Sequence, residues 1–70
     1  MKKIQIDTEY IKLDSLLKLS GLVQSGGEAK MLIQSGEVLL NGETCLERGR
    51  KVRGGDVVRV SDDEITVTEK

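Results

Sequence analysis

Residues 25–42 run SGGEAKMLIQSGEVLLNG, and the order of signals in that stretch constrains the whole chain. Ser25 and Glu28 stand at the spacing where each side chain can satisfy an orphan backbone donor at a helix start. Ala29, Leu32 and Ile33 follow at i, i+3 and i+4, which makes one apolar stripe on a short helix. Gly36 supplies the left-handed residue on which such helices commonly end. Val38, Leu39 and Leu40 form a brief apolar strand, and Asn41-Gly42 is the strongest short signal for a type I′ hairpin. The chain thus passes from a capped helix into a hairpin with little slack. Everything else packs on this unit or projects from it.

Upstream, Ile4 and Ile6 flank Gln5 in a short strand over residues 3–6, and Asp7, Thr8 and Glu9 bring the chain round. Leu13, Leu16 and Leu17 have helical spacing, and Asp14 lies where a carboxylate suits the helix dipole. A first helix is predicted over residues 13–20, stopped at Gly21. Leu22 and Val23 are expected to bury in the connection, so the two helices must be neighbours. Downstream, residues 43–46 read as the returning strand, with Cys45 on or near it. The run RGRKVRGGD at 48–56 reads as a basic loop that turns sharply at Gly54-Gly55 into an apolar strand at 57–60. Asp62-Asp63 marks another turn, after which Ile65 and Val67 alternate with Thr66 and Thr68. The coarse order is β-α-α-β-β-β-β, a single α+β domain over residues 1–70.

Enzyme chemistry finds little support. The 70 residues include no histidine to serve as a general base, and Cys45 has no activator in its sequence surroundings. As the one cysteine it forms no internal disulfide, and a buried, inert side chain is its expected role. Asp62, Asp63 and Glu64 read as solvated surface charge rather than an acid/base pair. Gly26-Gly27 lacks the Walker spacing with its Lys-Ser/Thr, so it reads as part of a structural cap. No metal site and no cofactor are expected. No apolar block approaches the ~20 residues needed to cross a bilayer, and the opening MKKIQIDTEY holds no apolar run long enough for a signal peptide. A cytoplasmic protein is expected.

The formal net charge of −1 hides a segregation of charge. Arg48, Arg50, Lys51, Arg53 and Arg59 crowd one stretch, whereas Asp62, Asp63, Glu64 and Glu69 dominate the next. Local field governs attraction to a polyanion more than the whole-chain sum does. The four cations within residues 48–53 repel one another, which nothing in a small fold requires. A phosphate backbone would relieve that repulsion and release counterions, and arginine's planar fork suits bidentate phosphate contact. A solvated face is the competing reading of that run, as it is of Lys12, Lys18 and Lys30 on positions the apolar stripes leave free. Readers of single strands stack bases on aromatic rings, and Tyr10 is the only aromatic residue here. A structured or double-stranded RNA therefore fits better than an unstructured strand. The rival from another class is a protein-interaction adaptor that uses the acidic C-terminal strand or an edge strand.

These residues resemble the S4 RNA-binding domain family, and in particular its small stand-alone bacterial members. Lys12-Leu13-Asp14 matches the family's opening, and Ser25, Ala29, Lys30, Leu32, Ile33 and Gly36 follow in register. Val38, Leu40, Asn41-Gly42 and Gly55-Asp56 complete a pattern that spans residues 11–60. The resemblance implies an S4-like (alpha-L) fold, with two short helices packed on a small, mainly antiparallel sheet. It also implies a non-enzymatic, often ribosome-associated RNA-binding role, and a monomer is expected. Carried over position by position, Lys12 and Lys30 are the helix cations of the RNA-binding surface, beside Arg48, Arg50, Lys51 and Arg53. One position departs from the pattern. The family's arginine directly after the serine is replaced by Gly26, which removes a phosphate contact that the RGRK run at 48–51 would have to replace.

Overall fold

The computed structural model describes residues 2–70. In chain order the elements are β1 (Lys2–Ile6), β2 (Ile11–Lys12), α1 (Leu13–Leu19), α2 (Gly26–Gln34), β3 (Val38–Leu40), β4 (Glu43–Thr44), β5 (Lys51–Val52), β6 (Val57–Val60) and β7 (Asp63–Glu69). Five strands form one sheet in the order β1-β7-β6-β3-β4, and β2 pairs with β5 in a separate two-stranded ribbon. Only β1 and β7 run parallel within the large sheet. The mainly antiparallel α+β architecture expected from the sequence is the one observed, with the short ribbon added to it.

The two helices pack on each other and bury the leucine and alanine-isoleucine stripes that their spacing predicts. Leu13, Leu16 and Leu17 of α1 and Ile33 of α2 are completely buried, against Val38, Val58, Ile65 and Val67 of the sheet. A buried leucine or isoleucine side chain contributes about 1.5–3 kcal/mol, so these few residues dominate the stability of so small a core. Val23 in the interhelical connection is buried and Leu22 packs partly against the same cluster, as expected.

The capping and turn chemistry follows the sequence closely. The Glu28 N–H donates to Ser25 Oγ at 3.2 Å, while the Glu28 carboxylate accepts from the Gln24 N–H at 3.0 Å, one residue before the cap. Gly36 has φ +85°, a conformation that ends the helix because its N–H can fold back on the Ile33 carbonyl. Asn41 and Gly42 both adopt positive φ, 52° and 87°, which a type I′ turn requires.

Some boundaries differ from expectation. The first helix ends at Leu19, because the Ser20 hydroxyl donates to the Leu17 carbonyl and closes the last turn. The returning strand covers only Glu43–Thr44. It leaves the ladder where Cys45 turns into the core, its N–H still bonded to the Val38 carbonyl at 3.0 Å. The last hairpin turns at Ser61 and Asp62, since Asp63 already pairs with Val60. The acidic C-terminal strand, β7, lies between β1 and β6 and has no free edge; the sheet's edges are β1 and β4. No helix among the described residues is long and apolar enough to cross a membrane.

Candidate nucleic-acid interface

The basic segment is attached to the first helix through its backbone. The first N–H groups of any helix lack partners within it, and the residue before α1, Lys12, contributes no side-chain cap. Instead the Leu13 N–H donates to the Arg50 carbonyl at 2.9 Å, and the Asp14 N–H to the Arg48 carbonyl at 3.0 Å. Carbonyls of the cationic run thus substitute for a capping side chain and fix that run against the start of α1. The sequence places a loop at 48–53; the structure resolves it into a turn at Arg48 and Gly49 followed by β5.

Pairing of β2 with β5 then sorts the side chains. The register sets Ile11 opposite Val52 and Lys12 opposite Lys51. Side chains alternate across a strand, so Ile11 and Val52 turn inward, and Val52 is completely buried. Tyr10, Lys12, Lys51 and Arg53 fall on the opposite, outward face, where the three cations are exposed. Lys51 Nζ lies 4.9 Å and Arg53 Cζ 5.9 Å from the centroid of the Tyr10 ring, both within cation–π range. Like charges opposed across a ladder destabilise it, so the Lys12–Lys51 pair is an arrangement that stability alone does not favour.

Little in the protein neutralises this surface. Arg50 pairs with Glu47 at 3.3 Å, but both side chains are more than half exposed, and such pairs contribute at most about 1 kcal/mol. Among the described residues no carboxylate forms a salt bridge with Lys12, Lys30, Arg48, Lys51 or Arg53. Arg53 is held by its backbone, since its N–H donates to Asp56 Oδ2 at 2.9 Å. Asp56 in turn accepts from Asn41 Nδ2 at 3.1 Å, and Asn41 Oδ1 accepts from the Val57 N–H at 2.9 Å. The Asn-Gly hairpin and the Gly-Asp turn are therefore one braced unit at the end of the basic segment.

Of the six cations singled out in the sequence, Lys12, Lys51 and Arg53 share the outward face of the ribbon, while Arg48 and Arg50 lie in the adjoining segment that caps α1, with the Arg50 side chain turned to Glu47. Lys12 reaches the group from β2 rather than from a helix. Lys30 lies on a different element. It is exposed on α2, whose packing partner is α1. The place of Tyr10 beside two cations is not legible in the sequence, because a single aromatic carries no pattern and only the ribbon brings them together. Cys45 is buried, and its thiol meets the Glu47 carbonyl at 3.6 Å. Among the described residues no cluster of His, Cys, Asp or Glu is placed to hold a metal ion.

The family model described as S4 domain matches residues 4–68. The chain belongs to the S4 domain family. It is 51% identical over 57 residues to the "Probable ribosome maturation protein RlbA" of Bacillus subtilis (strain 168), a stretch that covers 81% of this chain and 80% of that protein. The solution structure of YbcJ from E. coli, described as having an alpha-L motif involved in RNA-binding, superimposes with a TM-score of 0.75 at 28% identity and covers 97% of this chain and 87% of YbcJ. A pseudouridylate synthase also matches, with a TM-score of 0.72 at 20% identity. The match spans 80% of this chain but only 24% of the synthase, so what the two share is the fold of an S4 domain.

Proposed function

We propose that this S4 domain binds structured RNA, in a ribosome-associated role, through the outward face of the β2–β5 ribbon and the adjoining turn at 48–50. The observation that carries the reading is that the ribbon sets Lys12 opposite Lys51, with Arg53 on the same exposed face, while backbone bonds hold the adjoining Arg48 and Arg50 against the start of α1. Lys12, Lys51 and Arg53, held close together without a carboxylate salt bridge, raise one another's free energy, and a phosphate backbone relieves this while releasing counterions. Because the carbonyls of Arg48 and Arg50 anchor the segment, its side chains are free to meet the ligand. The ribosomal setting is supported by the relative's description as a probable ribosome maturation protein. The domain acts here as a binding module, without chemistry of its own.

Binding of fluorescent RNA hairpins and single strands across a salt series tests this reading. Contact with ~3–5 phosphates gives a slope of log K against log salt of roughly −2 to −4. The variant Arg48→Ala/Arg50→Ala/Lys51→Ala should retain its fold, since the carbonyls that cap α1 are untouched, and should show a shallower slope. No binding of either RNA at low salt would refute the proposal.

A further inference from the structure

We propose that Tyr10 is a stacking position for one unpaired base, so that the domain selects RNA helices interrupted by a bulge. The inference rests on the RNA-binding reading and adds to it the feature of RNA that is recognised. Its observation is the place of the protein's one aromatic ring, on the outward face of the ribbon between cations rather than in the core. The large side chains of the core are all aliphatic. Tyr10 is half-buried, and its backbone is fixed by the Thr8 hydroxyl, which donates to the Tyr10 carbonyl at 2.8 Å. The residue that carries the ring is thus tied to the preceding turn.

Lys51 and Arg53 give the ring its second property. In the free protein their charges rest near the electron-rich face of Tyr10, which disperses part of their mutual repulsion. Both side chains are long and exposed, and both can turn to a phosphate without any movement of the ribbon. That turn uncovers the ring beside a phosphate backbone already gripped on its two flanks. A base from a continuous duplex cannot reach it, because its faces are occupied by its neighbours. A base outside the stack can, and stacking on an aromatic side chain strengthens binding by a factor of about 5 to 150 per base.

The experiment compares two RNA hairpins of equal length and phosphate count, closed by the same compact four-nucleotide loop whose bases stack on one another, one with a continuous stem and one with a single-nucleotide bulge. Each is titrated against the parent, Tyr10→Phe and Tyr10→Leu. The parent's intrinsic fluorescence reports on Tyr10 alone, as there is no tryptophan. The bulged hairpin should bind the parent and Tyr10→Phe about tenfold more tightly than the continuous one and quench the fluorescence of the parent. Tyr10→Leu should lose that preference while keeping the parent's salt slope and its melting temperature within a few degrees. Equal binding of both hairpins by the parent, or a preference that survives in Tyr10→Leu, would overturn the stacking position and leave phosphate binding intact. A drop of Tyr10→Leu affinity for both hairpins together with a lowered melting temperature would assign Tyr10 a structural role and also overturn it. Failure of the parent to bind either hairpin would instead refute the RNA-binding reading itself.

Discussion

Asn41 and Asp56 show how individual residues hold this surface in shape. Each uses a short polar side chain to satisfy backbone or side-chain groups in a turn distant in sequence. Asn41 has a further role that alanine cannot fill, since its φ of 52° lies where residues other than glycine and asparagine are strained. Asn41→Ala should therefore destabilise the protein by about 1–2 kcal/mol, read as a lower urea midpoint with an unchanged m value. Asp56→Ala should cost about 1 kcal/mol, and the double variant should cost less than the sum, since the two share the Nδ2–Oδ1 bond. Additive losses would show that the brace contributes nothing as a pair. The Asn-Gly turn was legible in the sequence because its signal is local. The role of Asp56 was not, because its partner is 15 residues away.

At the scale of elements, the β2–β5 ribbon decides where the cations go. Each of its strands has two residues, too few for any alternation to show in a sequence, so residues 48–53 read as loop. What holds the ribbon is the inward pair Ile11 and Val52 together with the two backbone bonds to the start of α1. Val52→Ala removes buried volume under the cations and no charge, at a cost of about 2 kcal/mol. Its melting temperature should fall. At a temperature where it stays folded, RNA affinity should fall as well, although every lysine and arginine is retained. Unchanged affinity would mean that the ribbon's order does not matter to binding. The helices were more legible, because three-residue and four-residue spacing over 13–17 and 29–33 leaves one buried face and one wet one. The shift of the helix end to Leu19 reflects a side-chain hydroxyl closing the turn, a choice that periodicity does not encode.

Across the whole molecule, the basic run and the acidic turn at Ser61 and Asp62 lie at opposite ends of β6. That strand leads away from the 53–56 turn and reaches the acidic turn at Ser61 and Asp62 after four residues, roughly 13 Å at about 3.3 Å each. The separation exceeds the Debye length of about 8 Å at physiological ionic strength. Asp62→Asn/Asp63→Asn should thus change RNA affinity less than about twofold at 0.15 M salt, with a larger gain at 0.01 M, where the Debye length is about 30 Å. A large gain at both salts would show that net charge, and not the local array, governs binding. By itself the sequence determined the helices, the Asn-Gly hairpin, the α+β class and the membership of Arg48, Arg50, Lys51 and Arg53 in one basic run, because caps, turns and apolar spacing act between near neighbours. Tertiary structure alone decided that Lys12 sits opposite Lys51, that Tyr10 sits beside Lys51 and Arg53, and that β7 is enclosed. Those outcomes depend on which strands pair, and pairing is chosen by the burial of Ile11, Val52, Ile65 and Val67 in a core that no single stretch of chain contains.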